Sequence, residues 1–520
     1  MRKWAFLLLL AMVCIGCSSA KQKSKDLYQK AMVQKSQGHV PEALSLLRKS
    51  TELYGKNIQA WVKYQDLLVL GGKKDDAARE FKEKLDQSPR DPAWLYLYGR
   101  LQSSEEKRQY FQKSIEANPR FPWGYYGLGM LLLEEKKPQE AQADLEKAID
   151  LDPDIADAHV QLGKVYATQG KLRNAEEEFG KAVELDGSSQ DGYFYLGNVA
   201  FINGNINEAA LNYEKVLELD PENFKAKNAL AKVYLLKNRT EEALDIFEKL
   251  MVRDPRNAWT ALNIGRAKFM MARENDAVNA FKKAISLSPV LPEAHYLLAL
   301  AYMNEKRWRD AEAELYLVEK SRKNFPGLHK ARALIYLSTG REAEAEKELS
   351  LEEKTSPRDP EISYIRGQIL FRRFQILKAE EQFKNALSLE SRYYPAYLGL
   401  GQIEEYFKEY IRALHVYEEA LVIFPGDAEI TYRMGVCWSL HGDDKKAKEY
   451  FRQAFEQGFD DWSRIDGDIA IQGLKGDPEV ATMLTENRKK KSSVVKYRHS
   501  QLISNQDLIY NQTQRAYKKI

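Results

Sequence analysis

The chain has 520 residues, 30% charged and 44% hydrophobic, with a formal net charge of +3. That balance predicts a soluble, helix-rich body. Residues 488–520 carry nine Lys/Arg against one Asp, so the body is mildly acidic and its tail basic, a distribution unlike that of a nucleic-acid-binding fold.

At the start, Arg2 and Lys3 precede an apolar run from Trp4 to Ile15. Twelve residues are too few to span a bilayer, which takes about 20, and they suit the core of a signal peptide. The next four residues, Ile15-Gly16-Cys17-Ser18, resemble the lipobox of bacterial lipoproteins, with Cys14 standing where that family usually has Leu. The resemblance implies a signal peptide over 1–16, diacylglycerol on Cys17 and a tether over 17–23. Plain secretion with cleavage after Ala20 is the alternative. Cys14 and Cys17 also have the C-x-x-C spacing of a redox pair or half a zinc site. Cys437 is far away, the seven His are scattered, and none lies at ligand spacing, so no metal or other cofactor is expected.

From residue 122 to 461 the sequence repeats every 34 residues, ten times without a slip. The eighth position is Gly or Ala throughout, as in Gly163, Gly197 and Ala231. The twentieth is always Ala, as in Ala175 and Ala209. The twenty-fourth is large, as in Phe179, Tyr213 and Phe247, and the thirty-second is Pro in six repeats, as in Pro221 and Pro255. Each period holds two stretches of about a dozen residues with apolar residues at i, i+3, i+4 and i+7, so it predicts two helices. Small residues at 8 and 20 let the helices approach, the large one fills the space beside them, and Pro ends the second helix. These signature positions resemble the tetratricopeptide repeat.

Residues 24–121 hold three more degenerate repeats, at 24–57, 58–91 and 92–121. The third lacks about four residues between its helices, which predicts a kink or sub-domain boundary near 121. Repeats 4 to 13 then begin at 122, 156, 190 and so on to 428. Residues 462–487 predict a capping helix with Asp477 as N-cap and Pro478 in its first turn. The tail at 488–520 is expected to be flexible, either solubilising or in contact with an anionic surface. The expected fold is all-α, a right-handed solenoid of about thirteen hairpins in which stacked neighbours bury each other's apolar faces.

No nucleotide-binding glycine motif or G-x-S-x-G is present, and no segment of 100 residues lies outside the repeats, so no enzyme is expected. "GYYGLG" at 124–129 is made of repeat glycines. The resemblance places first-helix positions 2, 5, 9 and 12 on a concave inner surface. Those positions give Trp123 and Tyr126; Phe194, Asn198 and Phe201; Trp259, Arg266 and Phe269; then Tyr296, Tyr364, Phe371 and Tyr432. Aromatics are enriched at binding hot spots, so this surface is expected to bind a protein or peptide, with a glycan chain as the alternative ligand. Position 5 and 9 pairs such as Val160/Lys164 and Asn228/Lys232 lack the family's clamp for a C-terminal carboxylate. The implied function is a scaffold in the bacterial cell envelope, anchored by lipid and facing the periplasm. Ser18 favours the outer membrane. An accessory protein for envelope polysaccharide is the second expectation.

Overall fold

The computed structural model describes residues 2–490, and for 2–18, 463, 489 and 490 the backbone alone. All regular structure among them is helical: thirteen helical hairpins and then three short helices, an α-solenoid architecture. No helix among the described residues is long and apolar enough to cross a membrane. The first helix runs unbroken over Arg2–Ser36, so residues 17–23, expected as a tether, continue it. The chain divides into two compact units, one ending at Arg253 and the next starting at Asp254. The first holds repeats 1 to 7, the second repeats 8 to 13 and the C-terminal helices.

Repeat 5 shows how the period folds. Its helices are Ala156–Thr168 and Leu172–Leu185, with Gly170 left-handed at φ 74° in the turn between them. Ala175 and Phe179 are fully buried. A Cβ on Gly163 would lie 2.6 Å from the Phe179 ring, and one on Gly265 would lie 2.5 Å from Phe281. Those distances are well inside van der Waals contact, so the ring at position 24 needs hydrogen at position 8. Where position 8 is Ala299 or Ala333, position 24 is the smaller Leu315 or Leu349, again fully buried. Repeat 7, with Ala231 and Phe247, departs from that trade.

Repeats 5, 9 and 10 carry an unexpected polar staple. His159, His295 and His329 at position 4 reach Glu178, Glu314 and Glu348 at position 23, each through Nδ1 at 2.6 Å. In two of them Nε2 also faces a carbonyl, Pro153 at 2.9 Å and Pro289 at 3.1 Å. The Glu314 hydrogen bond raises the His295 pKa above its ordinary value against the opposing effect of burial. The sequence signal was a His followed by Glu nineteen residues later.

Repeat 3 is short for a specific reason. Its first helix is only Pro92–Gly99, eight residues against thirteen in repeat 5. The deletion therefore falls on the helix itself, and Ser103 with Glu106 starts the second helix as a capping box. No core boundary appears near 121. The Tyr96 ring lies 5.5 Å from Phe111 and 5.8 Å from Trp123, so the core runs through.

The single capping helix expected after 461 is three helices, Trp462–Gly467, Ile469–Leu474 and Pro478–Lys490. Asp468 breaks the first from the second by accepting from the Ala470 N–H at 3.1 Å. Asp477 caps the third, accepting from Glu479 N–H at 2.8 Å, with Pro478 in the first turn. Ile465, Ile471, Leu474 and Val480 pack with Phe451 and Phe455 and cover the apolar end of repeat 13. The tail from 491 lies outside the described residues.

Candidate binding surface

The first helices of the repeats carry the positions expected to face a partner. In the N-terminal unit, part of this face is closed by the chain's own polar groups. Lys63 Nζ of repeat 2 reaches Asp157 of repeat 5 at 2.9 Å. Tyr28 Oη of repeat 1 donates to Asp186 at 3.4 Å and accepts from Gln59 at 3.2 Å. Arg100, just after the shortened helix, reaches back to Asp66 at 2.7 Å and Gln65 at 2.6 Å. Burial works to lower the Lys63 pKa, but the Asp157 carboxylate outweighs it and the amine titrates above its ordinary value. Burial lifts the Tyr126 phenol well above its ordinary range. A small cleft of about 140 Å³ remains between repeats 3 and 4, lined by Tyr96, Arg100, Phe111 and Tyr126.

Beyond this closed part, the helix Gln190–Ile202 keeps three of the expected residues partly exposed: Phe194, Asn198 and Phe201. Tyr213 Oη donates to Asn198 Oδ1 at 2.8 Å, which orients the amide and leaves its NH₂ as the group presented. Phe194 rests edge-on against Tyr195, centroids 5.5 Å apart.

In the C-terminal unit, Trp259, Tyr364 and Phe371 are likewise partly exposed. Gln368 donates to Tyr364 Oη at 2.7 Å. Charged pairs flank them. Lys330, 5% exposed, lies 3.1 Å from Asp359 and 2.7 Å from Glu361. Arg433 lies 2.7 Å from Glu429 and 3.6 Å from Glu405. Arg464 also reaches Glu429, at 2.5 Å, so these carboxylates are held in ion pairs.

The other six residues expected on the binding face are buried: Trp123, Tyr126, Arg266, Phe269, Tyr296 and Tyr432. Large rings at these positions pack into their own stack. Tyr432 lies 5.5 Å from Phe451, stacks on Phe459 at 3.9 Å, and donates to Asp468 at 3.0 Å. Trp123 packs edge-on against Tyr126 at 5.5 Å. Arg266 is the one charged member. Its Nη1 is 3.4 Å from Asn263 Oδ1, and Nε has no partner among the described residues. Burial brings its pKa down to about 10, with Glu293 pulling the other way. The side chain of Cys17, expected to carry lipid, lies outside the described residues.

No group of three or more His, Cys, Asp or Glu able to hold a metal occurs among the described residues. Cys437 is buried, its thiol pKa raised by burial and by Glu405. A thiol so placed is inert.

Solved structures with similar helical repeats include the APC/C hetero-tetramer Cut9–Hcn1, at 15% identity over 91% of this chain and 98% of that one, TM-score 0.44. Yeast Tom70 matches at 15% identity over 79% of this chain and 100% of that one, TM-score 0.41. A tetratricopeptide repeat protein of Parabacteroides merdae matches at 18% identity over 48% of this chain and 98% of that one, TM-score 0.42. No curated protein sequence matches the chain. Two family models, each described as tetratricopeptide repeat, match it, one at 126–192 and 262–329 and the other at 200–269. The two matches of the first model start at residues 126 and 262, four periods of 34 apart, in step with the sequence register. The chain is a tetratricopeptide repeat protein.

Proposed function

We propose that the chain is a non-catalytic scaffold that holds segments of partner proteins along the inner faces of its two units. The supporting observation is that Phe194, Asn198 and Phe201 stay partly exposed together on one helix. Two rings about two turns apart offer apolar contact to a bound segment. The oriented Asn198 amide offers a donor to its backbone carbonyls. Trp259, Tyr364 and Phe371 serve the same purpose in the other unit. Through Cys17 the scaffold is tethered to the bacterial envelope, at the outer membrane and facing the periplasm, where it organises an envelope complex.

Photo-crosslinking in cells from Phe201 and Phe371, followed by mass spectrometry, tests the binding reading. Specific protein partners are expected, and Phe194→Ala with Phe201→Ala should reduce their yield by about tenfold or more. Capture of envelope polysaccharide that the same substitutions abolish, with every protein partner still bound, would favour the polymer reading instead. Metabolic lipid labelling tests the anchor, and label retained on Cys17→Ser would sink it.

A further inference from the structure

The turn edge of repeats 11 and 12 carries an exposed apolar strip. Phe374 is 75% exposed and Leu377 77%, while Tyr406 and Phe407 are 49% exposed each and Ile411 40%. The residues are contiguous. Ring centroids of Phe374 and Tyr406 lie 6.5 Å apart, and those of Tyr406 and Phe407 5.4 Å. Leu377 and Ile411 hold the same repeat position, eighteen, where repeats 7, 8, 9 and 13 have Glu241, Asn275, Arg309 and Lys445. The exposed area is on the order of 500 Å², a size that marks an interaction surface.

Phe374 stands in a turn whose backbone is left-handed, at φ 56°, where repeats 10 and 13 use Gly340 and Gly442 and repeats 4, 7, 8, 9 and 12 use Lys136, Asn238, Ala272, Lys306 and Lys408, so it is the one aromatic residue at that position among these repeats. A bulky residue is disfavoured there, and a ring so exposed gains little from packing. Local folding gives no reason for Phe at this position. Contact with something outside the fold does.

The charges around the strip indicate what that is. Lys378, Lys408 and Arg412 are exposed and have no ion pair among the described residues. Arg372 and Arg373 lie in the same turn, the latter held by Glu342 at 2.7 Å, and Glu409 is the exposed carboxylate beside them. Exposed rings and aliphatic tips with cations on either side suit the boundary between acyl chains and anionic headgroups. The strip is made of hairpin turns and the first turns of the helices that follow them, Ile376–Leu389 and Tyr410–Ile423.

We propose that the turn edge of repeats 11 and 12 docks on an anionic lipid bilayer. It does so independently of Cys17 and of any partner held on the inner faces. Rings and aliphatic tips enter the headgroup layer while Lys378, Lys408 and Arg412 meet phosphates. A chain tethered elsewhere would thereby be held against the surface at a second point.

The test uses the full chain with Cys17→Ser, so that no acyl anchor contributes, in flotation with phosphatidylglycerol/phosphatidylcholine vesicles and with phosphatidylcholine alone. Binding is expected to the anionic vesicles and to weaken with salt. Phe374→Ser with Phe407→Ser should lower partitioning about tenfold. Lys378→Glu, Lys408→Glu and Arg412→Glu together should lower it about a hundredfold or more. Phe374→Gly separates binding from folding, because it should raise the urea midpoint while weakening vesicle binding. All variants keep the basic tail. Wild-type binding that the Phe pair leaves unchanged would assign it to that tail and overturn the proposal. So would absence of binding to anionic vesicles, equal binding to phosphatidylcholine alone, or a strip whose substitution alters only self-association in light scattering.

Discussion

Lys63 of repeat 2 meets Asp157 of repeat 5, and Tyr28 of repeat 1 meets Asp186 at the end of repeat 5. In the C-terminal unit the corresponding polar contacts join neighbours, Lys330 with Glu361 and Arg433 with Glu405, or stay within one repeat, Tyr394 with Asp427. The two units are built from the same period, so the period alone does not explain the difference. The shortened repeat does. At about 1.5 Å per residue, its first helix is roughly 7 Å shorter than the others. Arg100 ties the shortened helix back to Asp66 of repeat 2. We infer that the lost helical turn draws the repeats on either side of it together.

The largest expected effect comes from the unit whose contacts are local. Lys330→Met removes a buried amine from between Asp359 and Glu361, which should cost about 3 kcal/mol in urea unfolding. The loss should stay local, with spin-label distances between repeats 11 and 13 unchanged. A loss below about 1 kcal/mol would mean that Lys330 is not the group holding those carboxylates together.

The N-terminal unit should answer the opposite way, with less energy and more shape. Asp157→Ala should cost about 1 to 2 kcal/mol, since both side chains of the pair keep partial contact with water. Inserting four helix-forming residues between Tyr98 and Gly99 restores the lost turn. It should separate positions 63 and 157 by about 5 Å. Spin labels at positions 63 and 157 should report that longer distance in the protein with the insertion than in the parent. A distance unchanged by the insertion would show that the short helix does not set the curvature.

The period was legible because its physics is local. Gly163 and Phe179 lie sixteen residues apart in one hairpin, and the same contact recurs between Gly197 and Tyr213, Gly265 and Phe281, Gly367 and Phe383, Gly401 and Tyr417, and Gly435 and Phe451. Ala at position 20 is buried for the same reason, and both are visible in sequence as a recurring pair. The fate of position 5 was not legible. Tyr364 stays partly exposed while Tyr432 is buried against Phe459, a residue outside the hairpin. Lys63 and Asp157 are still less visible, since their meeting sums small rotations over several repeats and depends on a helix eight residues long. The capping segment read as one helix because Asp477 and Pro478 give a strong start signal. Asp468 divides what precedes it by a side-chain hydrogen bond that its spacing did not announce.

The smallest effect concerns the His–Glu staples, which occur in both units but with different surroundings. Glu178 in the N-terminal unit also pairs with Lys181 at 3.0 Å, whereas Glu314 has His295 as its ion-pair partner among the described residues. Because the folded His295 pKa is raised, its contribution is fully present below the unfolded value of about 6.5 and is lost as pH rises through the folded pKa. His295→Gln should therefore cost on the order of 1 kcal/mol in mildly acidic buffer and much less in alkaline buffer, with the difference read from urea midpoints across that range. His159→Gln should cost about half as much, because Lys181 still compensates the carboxylate it leaves behind. A His295→Gln protein whose midpoint follows the same pH course as the parent would show that the imidazolium is not what joins the two helices of repeat 9. Equal losses for the two substitutions would show that the extra lysine is only a surface contact. In that case the staple would act in the same way in both units, and the contrast between them would rest on curvature alone.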